Sequence, residues 1–142
     1  MQKYEYKDKK MRKIYYNEAS YDHKEIRSVK KALKNNLNLV DGENTKTLEK
    51  IIPQYFKKKY GVLVNSCSSA NLLAIKSFNF ERGSNIITPC LNFSTTIAPI
   101  IQSGLIPNIV DVEIDTLNID VNKIEKSINK KTVAVFIPNL IG

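Results

Sequence analysis

The sequence predicts an α/β fold in three layers, with a mostly parallel sheet and helices on both of its faces. In the second half of the chain, short apolar and β-branched runs alternate with segments of helical periodicity, which is the order of βα units. Those runs are apolar throughout their length, as in strands buried on both faces. The 142 residues are 42% hydrophobic and 25% charged, which is ordinary for one globular domain.

The N-terminal part of the chain is predicted to be helical. Residues 1–20 have no clear periodicity and are expected to form an N-terminal arm. Apolar residues at helical spacing predict one helix over residues 22–35 and another over residues 48–56, with a loop between them. Pro53 lies inside the second pattern and is expected to kink or divide that helix, because proline removes a backbone donor.

Beyond Gly61, strand and helix patterns alternate. The predicted strands cover residues 62–64, 85–89, 107–112 and 132–138. The predicted helices cover residues 70–78 and 95–102, followed by one that Asp120 caps, with Val121, Ile124 and Ile128 on its buried face. Because the last strand runs directly into the final residues, we expect residues 21–142 to be the first part of a longer domain.

Charge and composition narrow the function classes. The formal net charge is +8, mostly from lysines that are scattered among acidic residues, and arginine is scarce. This pattern favours a solvated surface over a nucleic-acid site. No apolar run reaches the ~20 residues that span a bilayer. The N-terminus lacks the apolar region of a secretory signal, so a cytoplasmic protein without a membrane partner is expected.

Metal and triad chemistry find little support in the sequence. Cys67 and Cys90 fit no metal-ligand spacing and no disulfide framework, so free thiols and no metal are expected. His23 is the only histidine, which excludes a histidine-based metal cluster or a Ser-His-Asp triad built from this chain alone.

The stretch from Asn65 to Ala70 stands where a strand pattern gives way to a helix pattern. In open α/β sheets, ligands lie at the carboxyl ends of strands, near helix N-termini. There the first N–H groups have no intrahelical partner, and small residues and serine hydroxyls favour a phosphate site. A plain serine N-cap without a ligand is the alternative, and for this stretch taken alone it is favoured. The glycine patterns of a P-loop or a dinucleotide site are absent.

Phe93 gives a second indication. It lies in the loop that follows the next predicted strand, just ahead of a helix, and a planar cofactor ring held by the first turn would stack on it there. The alternative is that Phe93 fills the core.

Several ordered blocks of sequence resemble one family. They read VNSCSSANLLAI, NIITPCLNFSTTIAPIIQSGLIPNIVDVEIDTLNID and KTVAVFIPNLIG. Together with a looser match over residues 37–62, they resemble the DegT/DnrJ/EryC1/StrS family of sugar aminotransferases, which depend on pyridoxal phosphate. The patterns NS-x-SSANLL and TT-x-AP-x-IQ-x-GL-x-P are most similar to the branch that includes nucleotide-sugar 3-dehydratases.

The resemblance implies a fold, a cofactor and a set of site residues. It implies the N-terminal part of an aspartate aminotransferase-like large domain that binds pyridoxal or pyridoxamine 5'-phosphate. Ser68 and Ser69 fall where the family holds the cofactor phosphate, Cys67 falls where relatives often carry glycine or alanine, and Phe93 falls on the aromatic residue that stacks on the ring. The lysine or histidine that separates aminotransferases from dehydratases is expected beyond residue 142, so no catalytic residue is assigned. Lys76 is expected on the surface.

The resemblance also implies partners. These are a nucleotide-linked keto-deoxy sugar, an amino donor such as glutamate, and a second subunit in a homodimer that serves polysaccharide or deoxysugar biosynthesis. A non-catalytic α/β module that binds a phosphorylated ligand or a partner chain remains the alternative.

Overall fold

The structure, a computed structural model, describes Tyr15 and residues 18–35 and 42–140. The predicted arm and the loop between the first two helices therefore lie largely outside the described residues. Helices and strands follow in the order α1 (His23–Asn35), α2 (Glu43–Tyr55), α3 (Cys67–Ser77), β1 (Asn85–Pro89), α4 (Ser94–Gln102), β2 (Ile106–Val110), α5 (Val121–Ser127) and β3 (Thr132–Val135). No helix in these ranges is long and apolar enough to cross a membrane.

The chain divides into two compact units, residues 1–61 and residues 62–142. In the first unit, α1 begins with a reciprocal cap: Asp22 Oδ1 accepts from the Lys24 N–H at 2.6 Å, and Glu25 Oε2 accepts from the Asp22 N–H at 2.8 Å. The Asp22 N–H lowers the pKa of Glu25. Helix α2 continues through Pro53 and ends two residues later, so proline does not divide it.

The second unit contains a sheet of three parallel strands in the order β2-β1-β3. Successive strand residues face opposite sides of a sheet. On one side, Ile86 of β1 packs with Ile75 of α3 and Ile100 of α4. On the other side, Ile87 packs with Val110 of β2 and with Ile124 of α5. Helices thus cover both faces, and the predicted three-layer α/β architecture is confirmed.

One strand prediction and one helix prediction are wrong in detail. The run from Val62 to Val64 is not a strand of this sheet, and Val62 is 77% exposed. A β-branched run forms a strand of a sheet only where another strand pairs with its backbone. Neither β2 nor β3, the outer strands of this sheet, pairs with residues 62–64. Of the three residues predicted for the buried face of α5, Ile124 packs against the core, whereas Val121 and Ile128 are exposed, and Ile128 lies beyond the end of the helix at Ser127. Asp120 caps this helix as predicted, accepting from the Asn122 N–H.

Candidate functional site

A cleft of about 510 Å³ opens in the second unit, beside the carboxyl ends of β1 and β3. Three segments line it: the first turns of α3, the loop before α4 together with the start of α4, and the residues directly after β3. The lining residues are Cys67, Ser68, Asn71, Phe93, Thr95, Thr96, Phe136, Ile137, Pro138 and Leu140. The site therefore combines polar groups at a helix N-terminus with a largely apolar wall.

Ser66 sets the first turn of α3. Its backbone is extended, and its Oγ accepts a hydrogen bond from the Ser69 N–H at 3.2 Å, which is the geometry of an N-cap. Helix α3 therefore begins at Cys67, three residues before the predicted start, and four of the six residues in the Asn65–Ala70 stretch are helical. The Ser69 hydroxyl is also engaged, because it donates to Asn65 Oδ1 at 2.7 Å.

The first two residues of α3 keep free donors. The N–H groups of Cys67 and Ser68 precede the first intrahelical bond, and neither they nor the Ser68 hydroxyl donate to another group in the described part of the chain. Both residues are exposed and line the cleft. Free N–H groups and the positive end of the helix dipole favour an anion at this point.

Phe93 also lines the cleft, as the N-cap residue of α4. It is 72% exposed, which contradicts the alternative that it fills the core. The loop that carries it is fixed at both ends: the Phe93 carbonyl accepts from the Thr96 N–H at 2.8 Å, and the Cys90 N–H donates to the Val110 carbonyl at 2.8 Å. The Asn92 side chain also donates to the Pro89 carbonyl. A planar group in the cleft would meet an exposed aromatic face held by a short, bonded loop.

Charged groups follow β2 at the same edge of the sheet. Lys123 Nζ lies 3.5 Å from Asp111 and 3.4 Å from Asp120. Hydrogen bonding to Asp120 raises the pKa of Lys123. The Val112 N–H is the main group that lowers the pKa of Asp111, followed by the Cys90 thiol and Lys123. Asp111 and Lys123 are exposed and Asp120 is half-buried, so these paired charges form a rim and not a buried acid–base pair.

The structure brings three of the four predicted site residues together. Cys67, Ser68 and Phe93 line one cleft, whereas Ser69 does not line it and uses its donors within the turn. Cys67 and Cys90 are free thiols, as expected, and Lys76 is exposed, as expected. The sequence interpretation missed Asn71 and the wall after β3. The signal for Asn71 was its spacing, because residues four apart share a helix face.

Residues 19–142 match the model of the DegT/DnrJ/EryC1/StrS aminotransferase family. The chain belongs to this family. This family member is similar to a GDP-4-keto-6-deoxy-D-mannose 3-dehydratase of Yersinia pseudotuberculosis. The two are 39% identical over 93% of this chain and 36% of the relative.

Solved structures also resemble this DegT/DnrJ/EryC1/StrS family member over most of its length. An E. coli GDP-4-keto-6-deoxy-D-mannose-3-dehydratase with bound hydrated PLP aligns with a TM-score of 0.76 and 33% identity, over 83% of this chain and 32% of the other. Helicobacter pylori PseC, an aminotransferase involved in the biosynthesis of pseudoaminic acid, aligns with a TM-score of 0.79 and 27% identity, over 87% and 33%. The chain spans about a third of the length of these proteins.

Proposed function

We propose that this chain is the N-terminal part of an enzyme that uses pyridoxal or pyridoxamine 5'-phosphate to act on nucleotide-linked keto-deoxy sugars in polysaccharide or deoxysugar biosynthesis. One observation carries the proposal: the free donors at the start of α3 and the exposed ring of Phe93 line the same cleft. A phosphorylated, planar cofactor needs both an anion site and an aromatic surface.

The residues present fit this cofactor. The N–H groups of Cys67 and Ser68, with the Ser68 hydroxyl, would hold the phosphate, and Ser69 would keep the turn in place through its bonds to Ser66 and Asn65. Phe93 would stack on the ring. When bound, the cofactor supplies an electron sink for bond breaking at the sugar. The chain's own part in that chemistry is to bind the phosphate and orient the ring.

A titration of the 142-residue chain tests the cofactor site. Pyridoxamine 5'-phosphate is the suitable probe because, unlike an aldehyde, it does not react with the many lysines. We expect the backbone amide signals of Cys67 and Ser68 to shift in NMR spectra, and pyridoxamine without phosphate to leave them in place. Weak binding is sufficient for this measurement.

Two charge variants test the serines of the phosphate site. Ser68→Asp places a negative charge at the free donors and should abolish the shifts, because it repels the phosphate dianion. Ser69→Asp should weaken binding strongly as well, because it adds a negative charge to the same turn and removes the hydroxyl that donates to Asn65 Oδ1. Phe93→Ala should cost about 1 kcal/mol, since only stacking is lost. If pyridoxamine 5'-phosphate shifts neither amide of the unaltered chain, the cofactor proposal is wrong.

The reaction itself is tested on the complete protein that carries this chain. The NS-x-SSANLL pattern and the 3-dehydratase relatives favour loss of the sugar 3-hydroxyl over amino transfer. With a GDP-linked 4-keto-6-deoxy sugar and glutamate, mass spectrometry should show a 3-deoxy product. A 4-amino sugar would instead identify an aminotransferase. The non-catalytic module is favoured only if the complete protein binds the nucleotide sugar and converts none of it.

We also propose that the complete protein works in the cytoplasm as a homodimer, without a nucleic-acid or membrane partner. The family resemblance supports both points. Light scattering of the purified protein, which gives its mass directly, tests the dimer, and a monomeric mass would contradict it.

A further inference from the structure

Asn71 connects the two helices that border the cleft. Its side-chain Nδ2 donates to the Thr95 carbonyl at 3.2 Å, which links the second turn of α3 to the first turn of α4. Its Oδ1 accepts a weak hydrogen bond from the Cys67 thiol, with sulfur and oxygen 3.9 Å apart. Asn71 is half-buried and lines the cleft itself.

The carbonyl that Asn71 binds is free for a chemical reason. In an α-helix, the carbonyl of Thr95 would accept from the N–H four residues later, and that residue is Pro99, which has no N–H. Pro99 is buried inside α4. Without Asn71 this half-buried carbonyl would lack its usual partner, so Asn71 and Pro99 act as a matched pair.

The link lies at the end of α3 that borders the cleft. Cys67, Asn71 and Ile75 follow one another at four-residue spacing on one face of α3. At the far end of this face, Ile75 packs in the core with Ile100 of α4. At the near end, the side-chain hydrogen bond that joins α3 to α4 within the described residues is that of Asn71. The near end carries the free donors of α3 and Phe93 at the start of α4.

We propose that Asn71 is a positioning residue, which holds the anion-binding start of α3 at the distance from Phe93 that a phosphorylated ring ligand requires. This rests on the proposed cofactor site and adds a residue to it. A ligand that touches both parts depends on their separation, whereas a ligand that touches only the helix N-terminus does not. The proposal therefore predicts different effects on two ligands.

The experiment compares inorganic phosphate with pyridoxamine 5'-phosphate on the 142-residue chain, following the Ser68 amide by NMR. In the unaltered chain, the ring should improve affinity over phosphate about two- to tenfold through stacking. In Asn71→Ala, we expect the phosphate affinity to stay within twofold of that of the unaltered chain. The ratio of pyridoxamine 5'-phosphate affinity to phosphate affinity should fall close to one. Asn71→Leu, which keeps the side chain's size without its hydrogen bonds, should behave in the same way. Asn122→Ala, an exposed asparagine on α5, is the matched control and should change neither affinity.

Each contrary result has its own meaning. An unchanged ratio in Asn71→Ala overturns the positioning role. Equal weakening of both ligands also overturns it, since Asn71 would then only support the helix N-terminus. A normal ratio in Asn71→Leu would overturn the role of the Asn71 hydrogen bond, since packing alone would then set the spacing. If the unaltered chain binds neither ligand, or binds phosphate as tightly as pyridoxamine 5'-phosphate, the proposed cofactor site itself is wrong. The positioning role would then be wrong too.

Discussion

The thiol of Cys90 lies 3.4 Å from Oδ1 of Asp111. Each residue directly follows a strand, Cys90 after β1 and Asp111 after β2, so this contact joins the end of β1, where the Phe93 loop starts, to the end of β2. The Cys90 N–H, bonded to the Val110 carbonyl, reinforces the junction.

This contact predicts a pH effect at Asp111. Its pKa is lowered first by the Val112 N–H and then by the Cys90 thiol and Lys123. Because the pKa is lower in the folded chain than in the unfolded one, these contacts stabilise the fold above the ordinary aspartate pKa, and the effect is lost as the pH falls through the folded value. In Cys90→Ala, the pKa should rise towards the ordinary value. Carboxyl ¹³C titration measures it, and Cys67→Ala is the control. An Asp111 pKa that Cys90→Ala leaves unchanged would contradict the role of the thiol.

The serine cap of α3 predicts a contrast between neighbours. Ser66→Ala removes the oxygen that accepts from the Ser69 N–H, and we expect it to lower the free energy of unfolding by about 1 kcal/mol. Ser68→Ala removes a hydroxyl without a partner in the described residues and should stay within about 0.5 kcal/mol of the parent chain. Urea unfolding followed by circular dichroism compares the two. Equal effects would argue against Ser66 as the cap.

Thr88 predicts a stabilising change. It is fully buried in β1, and its Oγ1 has no hydrogen-bond partner within the described residues. Thr88→Val keeps the shape and removes the unsatisfied hydroxyl, so we expect a gain of about 1 to 3 kcal/mol. Thr132→Val is the matched control in β3, where Oγ1 accepts from the Asn129 N–H at 3.0 Å, and it should destabilise the chain. A loss of stability in Thr88→Val would show that the hydroxyl has a favourable partner.

Gly61 and Pro53 predict an energetic coupling in the first unit. A Cβ on Gly61 would lie 2.5 Å from Cγ of Pro53, closer than packed carbon atoms allow. Gly61→Ala should therefore cost about 1 to 3 kcal/mol, as overpacking does. The same change made in Pro53→Ala should cost clearly less, because the ring is gone. A double-mutant cycle in urea measures the coupling, and costs that simply add would refute the contact.

The strands were predictable where the sequence marks their ends. The bounds of β1 agree with the prediction, because Pro89 closes its apolar run. The predicted strand over residues 132–138 is longer than β3, which ends at Val135. One further bond to β1 follows, from the Phe136 N–H to the Ile87 carbonyl. The run at residues 62–64 has the same composition and forms no strand of the sheet. Composition shows that a segment suits a strand, but pairing depends on a partner that the pattern does not contain.

The part of the site that depends on local sequence was predictable. Cys67, Ser68 and Phe93 come together as expected, because helix starts and strand ends meet at one edge of a parallel sheet. The start of α3 was misplaced since Asn65, Ser66 and Ser69 are all suitable caps, and only the backbone conformation selects Ser66. The Asn71–Thr95 bond was missed because it depends on which two helices pack side by side.

The central position of β1 has a consequence for the order of folding. Asn85 pairs with Ile106 in β2 and with Thr132 in β3, so the second pairing closes a loop a little over twice as long. Each doubling of loop length adds about 0.6 kcal/mol of closure entropy, and the α4 crossover is short. We therefore expect β1, α4 and β2 to assemble first as a nucleus, with β3 added afterwards. In pulse-labelled hydrogen exchange during refolding, the β2 amides should become protected before the Phe136 amide. The reverse order would mean that β1 and β3 assemble first.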